Sequence, residues 1–202
     1  MARRRTLRAL RLLLLVPCGG CASFNHASFE VQERARLVTS WSAAVSVRLQ
    51  GPKIRVRAHT LVAFRKPSEL RVELPAPTGP RLVVVAKDDV VTAVFPRERA
   101  VYRGPAHADA FGALLGLALE PREIMDLLLG EAAPRLRDVR VGWGPALPER
   151  IEVTLPDGAR LSARVEAPEA GRDLGEHAFV PPPHEGFRLL SVDEARDFLG
   201  QL

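Results

Sequence analysis

From Val45 onward the chain alternates between apolar and polar side chains. Val45, Val47 and Leu49 share one parity against Ser46 and Arg48. After a Gly51-Pro52 turn, Ile54, Val56, Ala58, Val62 and Phe64 share one parity and Arg55, Arg57, His59 and Arg65 the other. A sustained period of two predicts long half-buried strands, one face apolar and one wet. Leu70, Val72 and Leu74 continue the pattern against Glu69, Arg71 and Glu73, and a Pro-rich turn at 75–80 leads into the runs 81–86 and 90–95. These two runs are apolar on both parities, so something must cover both of their faces, and a helix pair would do this. Short links at Asp88-Asp89 and at 96–99, then a further strand at 100–103, predict an antiparallel meander.

Helical periodicity interrupts the strands. Residues 28–40 fit a short helix with Ser28 as cap and Val31, Ala35 and Val38 on one face. Phe111, Leu114 and Leu115 fall at helical spacing in a segment that ends near Gly116. Pro121, Arg122 and Glu123 follow Glu120 as the first turn of another helix, whose stripe is Ile124, Leu127 and Leu128 and whose stop is Gly130. Strand spacing resumes at 140–143, 151–155 and 161–165, with Pro156-Asp157-Gly158 as a hairpin turn. Pro181-Pro182-Pro183 forces an extended stretch, and Ser191 to Glu194 reads as a capping box for a last helix through Ala195, Phe198 and Leu199. The fold class is therefore α+β, in one domain.

The first residues change the picture of charge and compartment. Arg3, Arg4, Arg5, Arg8 and Arg11 precede an apolar stretch from Leu12 to Val16, and Gly19-Gly20 then lead to Cys21. This layout is that of a secretory signal, too short for a membrane span. It resembles a bacterial lipoprotein signal, in which the cysteine is acylated and becomes the new N-terminus. The expected organisation is a signal peptide at 1–20, acylated Cys21 with a short tether at 21–27, and the folded domain at 28–202. The chain carries 29 Lys and Arg against 24 Asp and Glu, but five of the arginines and no acidic residue precede Cys21, so the remainder is balanced. No basic block with interleaved aromatics survives in that remainder, which argues against a nucleic-acid partner.

Candidate chemistry is sparse. Cys18 and Cys21 have redox or zinc spacing, but neither the strand-to-helix setting nor further ligands accompany them, so no metal or cofactor is expected. The five histidines lie far apart in sequence. No G-x-S-x-G elbow, P-loop or dinucleotide fingerprint appears. No catalytic residue is assigned, and the expectation is a binding protein rather than an enzyme.

In order of parts, the stretch from Leu70 to Gly130 is distinctive. A strand ends in Pro77-Thr78-Gly79, paired apolar strands and the Val101-Tyr102 strand follow, and then come a helix, a short apolar connector and a helix ending Leu127-Leu128-Leu129-Gly130. This arrangement resembles the LolA/LolB superfamily of bacterial lipoprotein-localisation proteins, LolB-like members in particular, over roughly Val31 to Phe187. The resemblance implies an incomplete antiparallel β-barrel capped by a helical lid, with an apolar cavity that takes the acyl chains of lipoproteins or other lipids. It implies a lipid-anchored protein of the cell envelope, at the outer membrane facing the periplasm, that receives lipoproteins from a LolA-like periplasmic carrier. It also implies a membrane-facing loop, here Pro77, Thr78 and Gly79, where LolB-like proteins carry a leucine in place of Thr78.

The candidate cavity residues are Ile54, Val56, Val62, Phe64, Leu70, Val72, Leu82 and Val84 from the strands. The lid would add Phe111, Leu114, Leu115, Ile124, Leu127 and Leu128. Alternation is equally the mark of a filled sheet face, and Pro75 to Pro80 also reads as a plain rigid turn. The second reading is accordingly an envelope interaction or sensor lipoprotein that uses the same fold without lipid transfer.

Overall fold

The structure, a computed structural model, describes residues 25–51 and 55–200. The leader, the acylation candidate Cys21 and the cavity candidate Ile54 lie outside the described residues.

Among the described residues ten strands make one sheet: β1 (Ser40–Gln50), β2 (Arg55–Arg65), β3 (Glu69–Leu74), β4 (Leu82–Lys87), β5 (Val90–Phe95), β6 (Ala100–Pro105), β7 (Arg137–Trp143), β8 (Pro148–Thr154), β9 (Arg160–Ala170) and β10 (Arg188–Leu189). Their order is β10-β6-β5-β4-β3-β2-β1-β9-β8-β7. The sheet is curved and does not close, and the α-helices of the described residues complete an α+β fold: α1 (Phe29–Arg36), α2 (Ala108–Leu115), α3 (Pro121–Leu128) and α4 (Val192–Gly200). All the pairings are antiparallel except that of β10 with β6, an edge pair that the alternation does not announce because β10 has only two residues.

β1 joins two meanders. One edge pairs with β2 from Ser40 to Gln50, the other with β9. The register puts Trp41, Val45 and Leu49 on the inner face with Val62, Phe64, Val72, Val84 and Ala93, and Ser46 and Arg48 on the outer face with Arg57 and His59. A slip of one residue would turn the arginines inward, which is why the register is fixed. β1 begins at Ser40, ahead of the visible alternation, because Ser42 and Ala44 are too small to declare a face. Helix α1 ends at Arg36, so Val38 falls outside it, and Ser28 sits at the cap without a side-chain bond.

Both faces of β4 are buried, but a helix pair covers only one. Leu82, Val84 and Ala86 belong to the core shared with α2 and α3, whereas Val83 and Val85 point outward and pack under Phe179. Phe179 belongs to a strap after β9 that contains a 3-10 turn, Glu176–Phe179. Arg71 holds this strap by donating to the carbonyls of Ala178 and Val180 at 3.3 Å each. The strap replaces the second helical layer inferred from the apolar runs.

Beside the strap, the Glu69 carboxylate is buried between Arg65, which hydrogen-bonds it and lies 5.3 Å over the Phe179 ring, and Lys87 at 2.9 Å. The Arg65 hydrogen bond lowers the Glu69 pKa and outweighs the opposing effect of burial, with Lys87 acting in the same direction. A carboxyl held below its ordinary value contributes stability that is present above the unfolded pKa and lost as pH falls through the folded one. We therefore expect stability to decline as pH falls from the ordinary value of 4.5 downward. Glu69→Gln should flatten that acid limb and cost about 1–3 kcal/mol at neutral pH, since it strands the cations around it. Urea unfolding at a series of pH values measures both; an unchanged acid limb in Glu69→Gln would exclude this carboxylate as its source.

Candidate functional site

The inner face of the sheet is packed at one end and hollow at the other. At the packed end Trp41 stacks on Phe64 at 5.4 Å and 14°, in register with Leu70 and Ala86. Moving along the strands the sheet splits. β3 pairs with β2 only over Leu61–Arg65, so among the described residues β2 from Arg55 to Thr60 has no partner strand on that edge. The Lys66 N–H donates to Thr39 O at 2.7 Å. Antiparallel alternation then aims the peptide groups of Arg55, Arg57 and His59 into the gap.

A cavity of about 980 Å³ occupies the hollow end and reaches this gap. Its sheet wall includes Val45, Val47 and Leu49 of β1, Val56, Ala58 and Val62 of β2, Val72 of β3, Leu82 of β4, and Ile151, Leu161 and Ala163 of β8 and β9. Thr60, also on the wall, donates its hydroxyl to Val45 O at 3.0 Å and so presents no unsatisfied donor. The exposed Arg55, Arg57 and His59 rim the opening, with Arg81 and, from α4, Arg196. The space is thus aliphatic within and cationic at the rim.

The roof is α2, its connector and α3, which contribute Leu115, Leu117, Leu119, Ile124, Leu127 and Leu128. Local capping builds it. His107 Nδ1 accepts from the Ala110 N–H at 3.2 Å, and Gly116 ends α2 in the left-handed region at φ 71°. Pro121 occupies the first turn of α3, and Glu123 accepts from the Glu120 N–H at 2.7 Å. Glu120 Oε1 also accepts from the Ala108 N–H at 3.1 Å, which ties the starts of the two helices together. The Lys66–Asp126 ion pair at 2.8 Å fastens α3 to the β2–β3 turn. Gly130 follows at φ 85°, where a Cβ would come within 2.6 Å of the Trp143 ring. α4 carries the expected capping box, Ser191 N–H to Glu194 at 2.8 Å and Glu194 N–H to Ser191 at 3.3 Å, and its Leu199 reaches the cavity.

Of the strand and lid candidates, Val56, Val62, Val72, Leu82, Leu115, Ile124, Leu127 and Leu128 line this cavity. Phe64, Leu70, Val84, Phe111 and Leu114 do not: they are fully buried in the solid part of the core. Parity assigns a side chain to a face but not to a row along the strand, so the two ends look alike in sequence. The β1, β8 and β9 wall and the connector leucines Leu117 and Leu119 went unassigned for a related reason: their patterns mark apolar faces, and only the curvature of the sheet brings them round the same space. Pro77, Thr78 and Gly79 are exposed at the β3–β4 turn, next to wall residues Pro75 and Arg81. Thr78 accepts from Arg97 at 2.8 Å, and Gly79 has φ 103°.

Among the described residues no three His, Cys, Asp or Glu side chains come together as metal ligands. No described helix is long and apolar enough to cross a membrane.

No protein-family model and no curated protein matches the chain. Solved structures do. An uncharacterised conserved protein from Thermus thermophilus is similar over 80% of this chain and 96% of its own, with 12% identity and a TM-score of 0.46. A LolA superfamily protein from Nitrosomonas europaea is similar over 75% of this chain and 96% of its own, with 11% identity and a TM-score of 0.45.

An open apolar space should take up a neutral hydrophobic probe. We expect N-phenyl-1-naphthylamine to bind with a rise in fluorescence, and Val72→Trp, which fills the space from the sheet side, to weaken binding about tenfold, the equivalent of 1.4 kcal/mol. Phe111→Leu, in the solid core, should leave probe affinity within about twofold while lowering stability. Equal effects of the two substitutions on affinity would place the probe elsewhere.

Proposed function

We propose that the protein binds acyl chains in this cavity and, as a lipid-anchored envelope protein, helps to place lipoproteins or other lipids in the outer membrane. The observation that carries the reading is the cavity itself: aliphatic walls from six strands and a helical roof, open at the split between β2 and β3. Ligand sites typically enclose about 300–1,000 Å³, and this one lies at the upper end, with little polar lining to orient a small polar ligand. A bound chain gains about 0.8 kcal/mol per buried methylene. About ten buried methylenes would therefore match micromolar affinity before ordering costs.

The reading needs binding, orientation and release, and no covalent step. Acyl acceptance from a LolA-like carrier would follow the difference between two affinities, not the depth of either. The acylated Cys21 would hold the protein at the membrane, and the Pro77-Thr78-Gly79 turn, exposed beside the cavity, would meet it. Thr78 bonded to Arg97 is a weaker membrane wedge than leucine, because inserting it would bury a hydroxyl and break that bond.

Native mass spectrometry of the full chain carrying Cys21→Ser tests the proposal. Copurifying phospholipid, or uptake of an acylated peptide, should be seen and should be lost in Leu128→Arg, which puts a charge on the roof. A clean unliganded mass that does not change when acylated peptide is added would sink the carrier reading and favour an interaction or sensor module.

A further inference from the structure

The outer face of the sheet is divided. Across β3, β4 and β5 it is apolar and lies under the strap: Val83 and Val85 pack there against Phe179. The strap also reaches Ala63 and Arg65 at one end of β2; toward the hollow end, the outer face of β2, β1, β9, β8 and β7 is largely exposed among the described residues and rich in arginine. Register places Arg57 opposite Arg48, Arg48 opposite Ser162, Ser162 opposite Glu152 and Glu152 opposite Arg140. The row toward the hollow end runs Arg55, Gln50, Arg160 and Thr154, and the row on the other side contains His59, Ser46 and Arg164.

Arg48, Arg55, Arg57, Arg140, Arg160 and Arg164 are all exposed, and none has an ion-pair or hydrogen-bond partner among the described residues. Of the acidic residues nearby, Asp138 accepts from Thr154 at 3.0 Å and Glu166 from Ser46 at 3.2 Å, and Glu152, opposite Arg140, makes no ion pair with these arginines among the described residues. Arg48 and Arg57, a like pair, stand directly opposite each other across strands. Such pairing is destabilising in an isolated sheet and is relieved when an anionic surface supplies counter-charge. A depression of about 370 Å³, lined by Arg48, Arg140 and Arg160 with Asp138 and Glu152, gives the face a recess.

We infer that this face docks on anionic phospholipid headgroups and orients the cavity toward the bilayer. Three features favour a lipid surface over another polyanion. The face is broad and, among the described residues, carries no exposed Phe, Tyr or Trp side chain on which a base could stack. It is continuous with the cavity rim, since Arg55 and Arg57 belong to both. An acyl chain leaving or entering the bilayer would pass these two cations while its headgroup stayed on them. Finally, the chain joins the fold beside this face: Asn25 Oδ1 accepts from the Trp143 N–H at 3.0 Å on the free edge of β7. Four residues of chain reach at most about 14 Å, so an acyl anchor on Cys21 would keep β7 near the membrane. This last point rests on the anchor reading; the charge argument does not.

The test is flotation of the full chain carrying Cys21→Ser with phosphatidylcholine vesicles, with and without phosphatidylglycerol, at low and high salt. Arg48→Glu with Arg140→Glu alters the face; Arg34→Glu with Arg122→Glu makes the same charge change on exposed positions of the helical side. All the proteins carry the same leader, so its contribution cancels. Binding should require phosphatidylglycerol, fall with salt, and weaken about thirtyfold or more in the face variant but little in the helical-side variant. Unchanged uptake of N-phenyl-1-naphthylamine by both variants would confirm that fold and cavity are intact, so failure here is separable from failure of the acyl-binding proposal. Equal weakening in both variants, or in neither, would overturn the inference. It would also be overturned if the face variant lost polyglutamate or single-stranded DNA binding while keeping its vesicle binding, which would assign the face to another polyanion.

Discussion

Strand β1 carries the structure, because it is bonded along nearly its full length to β2 on one edge and β9 on the other. It is the seam between the two meanders, and its two-residue period sets which side chains go to which face in both of them. Trp41, Val45 and Leu49 are turned inward and Ser46, Arg48 and Gln50 outward, and their partners on both edges must follow. A single register therefore produces the apolar wall and the arginine-rich outer face together. Neither could be shifted without the other.

A protein with a large internal space forgoes the close packing that normally stabilises a core. Here the deficit is confined to one end. The Trp41–Phe64 stack, Leu70 and Ala86 are fully buried at the other end, and Phe111 and Leu114 of α2 are buried without lining the space. The roof is held by its termini rather than by filling beneath it. Glu120 links the starts of α2 and α3, Lys66 grips Asp126, and Gly130 lets Trp143 close over the end of α3. Because these fastenings are polar or at the ends, the apolar side chains between them are left facing the space.

The charge distribution follows the same division. Outside the Arg-rich leader the chain is electrically balanced, yet the balance is not local. Many carboxylates are spent in ion pairs around the lid, the strap and the helices, such as Glu69, Asp126 and Glu194. Arg48, Arg55, Arg57, Arg140, Arg160 and Arg164 stand without such partners among the described residues, on one surface. A balanced net charge thus conceals a strongly polar molecule, and the cavity opens next to its positive side.

By itself the sequence determined the local elements. Alternation marked the strands and their faces, Pro121 and Gly130 bracketed α3, Asp157-Gly158 marked a hairpin, and Ser191 with Glu194 started α4. These are signals a few residues long, and the physics behind them is local. Tertiary structure alone decided which apolar residues pack and which surround a space, since Phe64 and Val56 share a strand and a parity yet lie at opposite ends of it. It likewise decided that β1, β8 and β9 complete the wall, that the strap after β9 covers Val83 and Val85, and that arginines far apart in the chain meet on one face. Each of these depends on sheet curvature or on pairing between distant strands, and side-chain patterning along a single strand carries no record of either.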